Sequence, residues 1–455
     1  MNPISSSVLT LLLAAACGVP RISEQQFLHS LTVDPEGGPV ELAVAPGPRG
    51  LPATTAGLAF AEQLRHIVAQ PEWLAKKRVL IFVHGGLNSL PDGLERTARL
   101  VPAIRDGSAG ETYPILINWQ SGVGSGYQDH LVKYHNGEQK GFWRPVVSPV
   151  IALADLGRAI ARLPIVYWDQ GYAACKRVVA PAQGAAVPDG WHDRVRLDSR
   201  APEWPASVSF WNSVSQLLPG IVRVLTTPVI DTVGFEGYDM LLRRVDTLFF
   251  TNDDLRSRTA EPHGAVFELL RQIPVGTEIV LVGHSMGTIV LNELIRRFPE
   301  HDFRRIVYLA AACTVKDFMD AVPDYLAHNH GRGGDAKFYN LCLHPAADES
   351  EVAAWSLVPN GSLLEWLDAY LLGPRTGLHR TFGKWNNAVR MLPLFGGLDA
   401  RVRAAIHMKG FTVRGDDYPR THGSFDEYRF WEPPFWDPCC FEPPARVGQR
   451  AAPTP

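Results

Sequence analysis

The sequence predicts an α/β fold, a doubly wound and mostly parallel sheet that carries a large, mainly helical insertion. Short apolar runs recur at 79–83 (VLIFV), 114–119 (PILINW), 279–282 (IVLV), 306–310 (IVYLA) and 338–343 (FYNLCL). Runs of that length, apolar on both faces, are what strands buried inside a parallel sheet look like. Helix-patterned segments separate them, as where Leu291, Leu294, Ile295 and Phe298 share one face before Pro299 closes the helix. One interval is out of proportion: roughly 150 residues part PILINW from IVLV, where a parallel crossover needs only about a dozen.

Along the chain, residues 8–16 read VLTLLLAAA directly before Cys17. A run this short does not span a bilayer, and its length and small-residue end are those of a signal peptide. It resembles a bacterial lipoprotein leader, over residues 1–17, with Cys17 the lipidated first residue of the mature chain. It departs from that pattern in having Ala14 three before the cysteine and no Lys or Arg ahead of Arg21. Two locations follow as alternatives, exported and lipid-anchored or cytoplasmic.

The insertion is expected over 123–255. In 150–163, Asp155, Arg158 and Arg162 fall three and four apart and form one polar stripe on an otherwise apolar helix. In 238–249, Tyr238, Leu241, Leu242, Val245, Leu248 and Phe249 share one side. Each reads as a core-packing helix, or more sharply as a substrate-facing cap or a membrane-resting surface. Residues 183–205 read as loop. A last strand is expected in 406–413 (IHMKGFTV), and the proline-dense end predicts a disordered tail over 443–455.

The sharpest local signal is Gly283-His284-Ser285-Met286-Gly287, directly after IVLV and directly before an amphipathic helix. Small residues two before and two after the serine permit a tight strand-to-helix turn that lifts its hydroxyl clear of the sheet. The helix N-terminus then directs backbone N–H groups at the place where an oxyanion would form. A second signature, Val83-His84-Gly85-Gly86-Leu87-Asn88, follows the VLIFV strand, its plainer reading being a tight turn.

On these two motifs the chain resembles the α/β-hydrolase superfamily of serine esterases and lipases, from about residue 77 to 431 with the insertion set aside; the expected domain runs 75–432. The resemblance implies Ser285 as nucleophile, with Gly283, His284 and Gly287 completing the elbow. It implies an oxyanion hole from the Gly86 and Met286 amides. The acid is expected after the seventh family strand: Asp348 is preferred over Glu349, Glu351 and Asp317. The base is expected late in the chain: His422 stands next to Gly423, whereas His407 lies inside a strand, His379 precedes it, and His284 should turn away from the serine. Asn118, Trp119, Gln120, Ser121 and Gly122 either line the pocket or, for Trp119, belong to the core. Family lids more often follow the sixth strand, so the early insertion is a departure.

Such a site needs no metal or organic cofactor. Its expected partner is a small or lipid-like acyl compound, with membrane contact through Cys17 or the apolar insertion. An acyltransferase with the same triad, or a non-catalytic binding protein on the same scaffold, are the competing readings. Composition narrows the rest. A formal net charge of -3 and the absence of any Lys/Arg block argue against a nucleic-acid partner. The six cysteines, at 17, 175, 313, 342, 439 and 440, lack the paired spacings of a zinc site. Cys313 and Cys342 read as buried small hydrophobes, and a disulfide from Cys439 or Cys440 to Cys175 requires export.

Overall fold

A computed structural model describes residues 19–448 except 52, 56–59, 70–77, 109–110, 136–137, 140–143, 180–183, 199–219, 252–253, 255–261, 352–360, 375 and 414–416. The expected leader with Cys17, and residues 449–455 of the expected tail, lie outside the described residues.

Eight strands form one sheet: β1 (Ser30–Val33), β2 (Arg78–Val83), β3 (Thr112–Trp119), β4 (Val195–Leu197), β5 (Glu278–His284), β6 (Asp302–Leu309), β7 (Lys337–Cys342) and β8 (Ile406–Gly410). Their order is β1-β3-β2-β5-β6-β7-β8-β4, and every neighbouring pair is parallel. Each run read as a strand is one. β3 is buried at all eight of its residues, and β2 and β5 at all but the first, which is why these strands carry apolar runs without alternation.

Two strands of this sheet were not anticipated, and both are edges. β1 carries four residues and β4 three. β4 lies inside the stretch read as loop, and it returns from the insertion to pair with β8 through Met408, Lys409 and Gly410. The insertion is therefore two helical excursions separated by an edge strand. The tail expectation also needs correction at its start. The Arg429 amide donates to the Ala445 carbonyl and the Val447 amide to the Glu427 carbonyl, so 445–447 are tied down.

The strand order reverses direction between β2 and β5. From β2 the chain moves outward to β3, while β5, β6, β7 and β8 step the other way. At such a reversal the two connecting segments leave on opposite sides, and a crevice opens at the carboxyl ends of the strands. The Gly85–Gly86 turn and Ser285 both stand there.

Flanking helices complete the frame: α1 (Leu90–Gly107), α2 (Val123–Val132), α3 (Arg144–Val179), α4 (Gly220–Thr247), α5 (Gly287–Arg297) and α6 (Pro345–Ser350). Ser89 caps α1 with a reciprocal bond to Asp92. α4 is longer than the pattern read from 238–249, and Tyr238, Leu241, Val245, Leu248 and Phe249 enter the main core as that pattern required.

α2, α3 and α4 are joined by charge. Asp155 of α3 faces His130 Nε2 at 3.1 Å, Glu236 of α4 faces His130 Nδ1 at 3.3 Å, and Arg162 reaches Asp231 at 3.1 Å. Arg158 lies against Glu236. Arg244 then fastens α4 to the sheet: it donates to the Gln120 carbonyl at 2.9 Å, to Ser125 at 3.1 Å and to Asp129 at 2.7 Å, and is almost wholly buried. Replacing it with methionine leaves the buried Asp129 carboxylate and a carbonyl without this partner. Arg244→Met should cost about 3 kcal/mol, the scale for breaking one side of a buried ion pair. Chemical denaturation of the variant beside the parent chain checks this.

Candidate active site

Ser285 sits at the end of β5 with φ 52°, a left-handed conformation in which few non-glycine residues are found. Its amide donates to the Leu309 carbonyl at 2.9 Å, and its carbonyl accepts from the Ala312 amide at 3.1 Å, so β6 and the residues after it hold the turn. The turn also presses on β2. A methyl group at Gly287 would lie 2.2 Å from the Val83 carbonyl oxygen, which only glycine avoids; one at Gly85 would lie 2.6 Å from the Ser285 Cβ.

His422 Nε2 lies 2.7 Å from Ser285 Oγ. Accepting that hydroxyl proton places the imidazole's own hydrogen on Nδ1. Nδ1 is buried and, among the described residues, has no acceptor; Asp348 Oδ1 is likewise buried without a donor. The hydrogen bond expected between Asp348 and His422 is thus not formed. What joins α6 to the histidine loop is Glu351, which accepts the His422 backbone N–H at 2.8 Å. Asp317 is committed elsewhere, bonded to Asn292 at 2.6 Å and to Arg296 at 2.9 Å. His407 stacks on Tyr339, and His379 contacts Thr376.

The turn after β2 is fixed by its neighbours. Asn88 Nδ2 donates to the Gly85 and Gly86 carbonyls at 2.8 and 3.0 Å, and Ser121 Oγ to the Gly85 carbonyl at 2.9 Å. These bonds consume carbonyls and leave amides: among the described residues, neither the Gly86 nor the Met286 N–H has an acceptor. His84 donates from Nδ1 to the Gly85 carbonyl and accepts the Trp119 amide on Nε2, with the Trp119 ring stacked against it. Trp119 is accordingly a brace in the core, and Ser121 supports the turn.

Sequence reasoning missed the clamp behind this loop. Arg96 of α1 binds Asn88 Oδ1 at 2.8 Å and Asp426 at 2.5 Å; Arg99 donates to the Asp426 carbonyl at 3.1 Å. Asp426 lies four residues past His422, so the glycine turn and the histidine loop are pinned to one helix. No motif marks this, because the partners are 330 residues apart. His284 adds a second pin, turning from the serine to donate from Nε2 to the His422 carbonyl at 2.7 Å.

Burial governs the site's charges. It pushes the His422 pKa well below the ordinary range, with His284 adding to the effect. It pushes the Asp348 carboxyl well up, against the opposing pull of Lys384. Glu351 is raised by burial, and the His422 amide partly offsets this. Asp426, though buried, is held below the usual carboxylate range by Arg96, His284 and Arg99.

Two other features lie off this site. His130, Asp155 and Glu236 offer donor atoms all within 4.8 Å of one another, a set that could hold a metal ion. Here each imidazole nitrogen faces a different carboxylate and Arg158 lies on Glu236, so the set serves as a bridge between helices. A cavity of about 330 Å³, lined by Arg78, Thr112, Glu278 and Trp431 among others, opens at the amino ends of the strands, away from Ser285. Cys313 and Cys342 are buried free thiols, as read, and Cys439 and Cys440 are free as well.

In comparisons with protein-family models, curated proteins and solved structures, nothing matches the chain.

Burial pushes His84 down to about 3, so it stays neutral in the fold while the unfolded chain gains a proton near pH 6.5. Its stabilising effect is complete above pH 6.5 and is lost as pH falls toward 3, at up to about 1.4 kcal/mol per pH unit. Unfolding temperature should drop across that window, and His84→Asn should flatten the dependence. A pH series of thermal melts reads both.

Proposed function

We propose that the chain is a serine hydrolase of the α/β-hydrolase type, cleaving a carboxylic ester or related acyl bond through an acyl-enzyme. The observation that carries this reading is the 2.7 Å contact between Ser285 Oγ and His422 Nε2 on a strained strand-to-helix turn. An ordinary hydroxyl is a poor nucleophile at neutral pH, and a neutral imidazole in hydrogen-bond contact is the usual remedy.

In this reading His422 takes the Ser285 proton as Oγ attacks the acyl carbon, and returns it to the leaving group as the bond to that group breaks. Water, activated by the same imidazole, then releases the acid and restores Ser285. The unused Gly86 and Met286 amides receive the oxyanion; losing one such donor typically costs about 10²- to 10³-fold in rate. Asp348 completes the relay by accepting from His422 Nδ1 once the site tightens, which would resolve two buried deficits with one hydrogen bond. Glu351 positions the loop through the His422 backbone.

Fluorophosphonate labelling, with the modified peptide mapped by mass spectrometry, tests the proposal. The parent chain should label at Ser285, with no label in Ser285→Ala and a steep fall in His422→Ala. Asp348→Asn should slow labelling by up to about 10⁴-fold, by analogy with the triad acid of other serine enzymes; Glu351→Gln should cost roughly tenfold or less, since the glutamine oxygen still accepts the His422 backbone N–H and only the charge is lost. Labelling requires neutral His422, so its rate should fall as pH drops through a midpoint below the ordinary 6.5. A folded parent chain that takes no label would remove the proposal's support.

A further inference from the structure

α3 has its polar and apolar faces reversed. A surface helix normally turns its charges to water and its apolar stripe to the core. Here the charged stripe, Asp155, Arg158 and Arg162, turns inward onto His130, Glu236 and Asp231. From Pro145 to Trp168, every exposed position is apolar or small. The large ones are Val146, Val147, Val150, Leu153, Ile160, Ile165 and Trp168, with Leu153 68% and Trp168 75% exposed. None carries a charge, and the one polar hydrogen among them is the Trp168 indole N–H.

We propose that this face of α3 seats the protein on a phospholipid bilayer, lying in the plane of the interface with its apolar side chains among the upper acyl segments. The strip is about 36 Å long and about 10 Å wide, on the order of 400 Å². That is as large as the patches soluble monomers keep exposed, roughly 300–600 Å², which are themselves often functional. A stable contact with a second copy needs about 800 Å² from each partner, with polar groups to fix register. The strip supplies half that area and no such groups, and Pro149, Gly157 and Pro164 interrupt it. A lipid phase needs neither register nor hydrogen bonds.

Trp168 is the last described position of the strip, and its indole ring is suited to the headgroup level. No described helix is long and apolar enough to cross a membrane, so α3 rests on the bilayer. With no lysine or arginine among the exposed positions of residues 145–168, capture by this strip is hydrophobic and insensitive to lipid charge. The proposal stands apart from the hydrolase reading, since neither Ser285 nor His422 enters it.

Vesicle flotation of the full chain carrying Cys17→Ser, which removes the lipidation site, provides the test. Phosphatidylcholine vesicles, with and without phosphatidylglycerol, are used at low and at high salt. The parent should float with both, at both salt levels. Leu153→Glu combined with Ile160→Glu should weaken binding at least tenfold with its thermal melt unchanged, while Leu394→Glu, at an exposed position on another helix, should bind like the parent. Val150→Asn, a milder change on the strip, should weaken binding several-fold should the paired glutamates disturb the helix. Absence of parental flotation, flotation abolished by salt, or flotation that the strip variants leave intact overturns the proposal, the last pointing to residues 8–16. So does a parental dimer in sedimentation that the variants dissociate without any vesicle binding.

Discussion

The constraint on which the crevice depends is the contact of the turn at Ser285 with the end of β2, where a single added methyl at Gly287 would strike the Val83 carbonyl oxygen. Two parallel strands whose connections leave in opposite directions can bring their following turns this near only if both are stripped of side chains at the point of approach. The glycines at 85 and 287 satisfy that condition, and the rest follows from it. Ser285 is held at positive φ by amide and carbonyl bonds to Leu309 and Ala312, and the β2 turn has its carbonyls taken by Asn88 and Ser121, leaving its Gly86 amide free to face the crevice.

Charge is distributed on the same logic of enclosure. Near Ser285 burial favours the neutral form of the His84 and His284 imidazoles, and both bond to backbone groups, which costs little in a dry setting. The full charges are set one layer back, in the Arg96–Asp426 pair that pins the histidine loop to α1. A short buried pair of this kind adds little net stability once desolvation is counted, yet losing either partner alone is costly. Its place is apt: it joins two loops that approach each other only at the sheet's carboxyl edge.

Much of the interior was legible from the sequence because a strand buried on both faces leaves an unbroken apolar run, as VLIFV and IVLV do. The strand-to-helix turn at Ser285 was legible because its glycines are local. β1 and β4 were not, since edges of four and three residues have too few side chains to make a pattern. The α3 stripe of Asp155, Arg158 and Arg162 was read correctly as a stripe, yet periodicity carries no sign: it shows that one side differs from the other, not which side meets water. Deciding that took the acceptors on α2 and α4. Asp348 shows a similar limit. Its place after β7 follows from the motif order, whereas the role of Glu351, holding the His422 amide, depends on how two loops dock across 71 residues of chain.

The insertion and the strand-end loops form one contiguous body. Arg158 and Arg162 bind α3 to Glu236 and Asp231 of α4; further along α4, Arg244 grips the Gln120 carbonyl while Leu241 reaches the neighbourhood of Gly86, whose added methyl would meet it at 3.7 Å. Contiguity by itself transmits nothing. It does restrict what can move alone: displacing α3 by more than a side chain's reach either breaks buried ion pairs or carries α4 with it. Ser285 is 1% exposed in this arrangement, and α4, which places Leu241 beside the Gly86 turn, is fastened by charge to the helix whose outer face is apolar. The same buried pairs that make the outside of α3 apolar therefore make its position a constraint on the crevice.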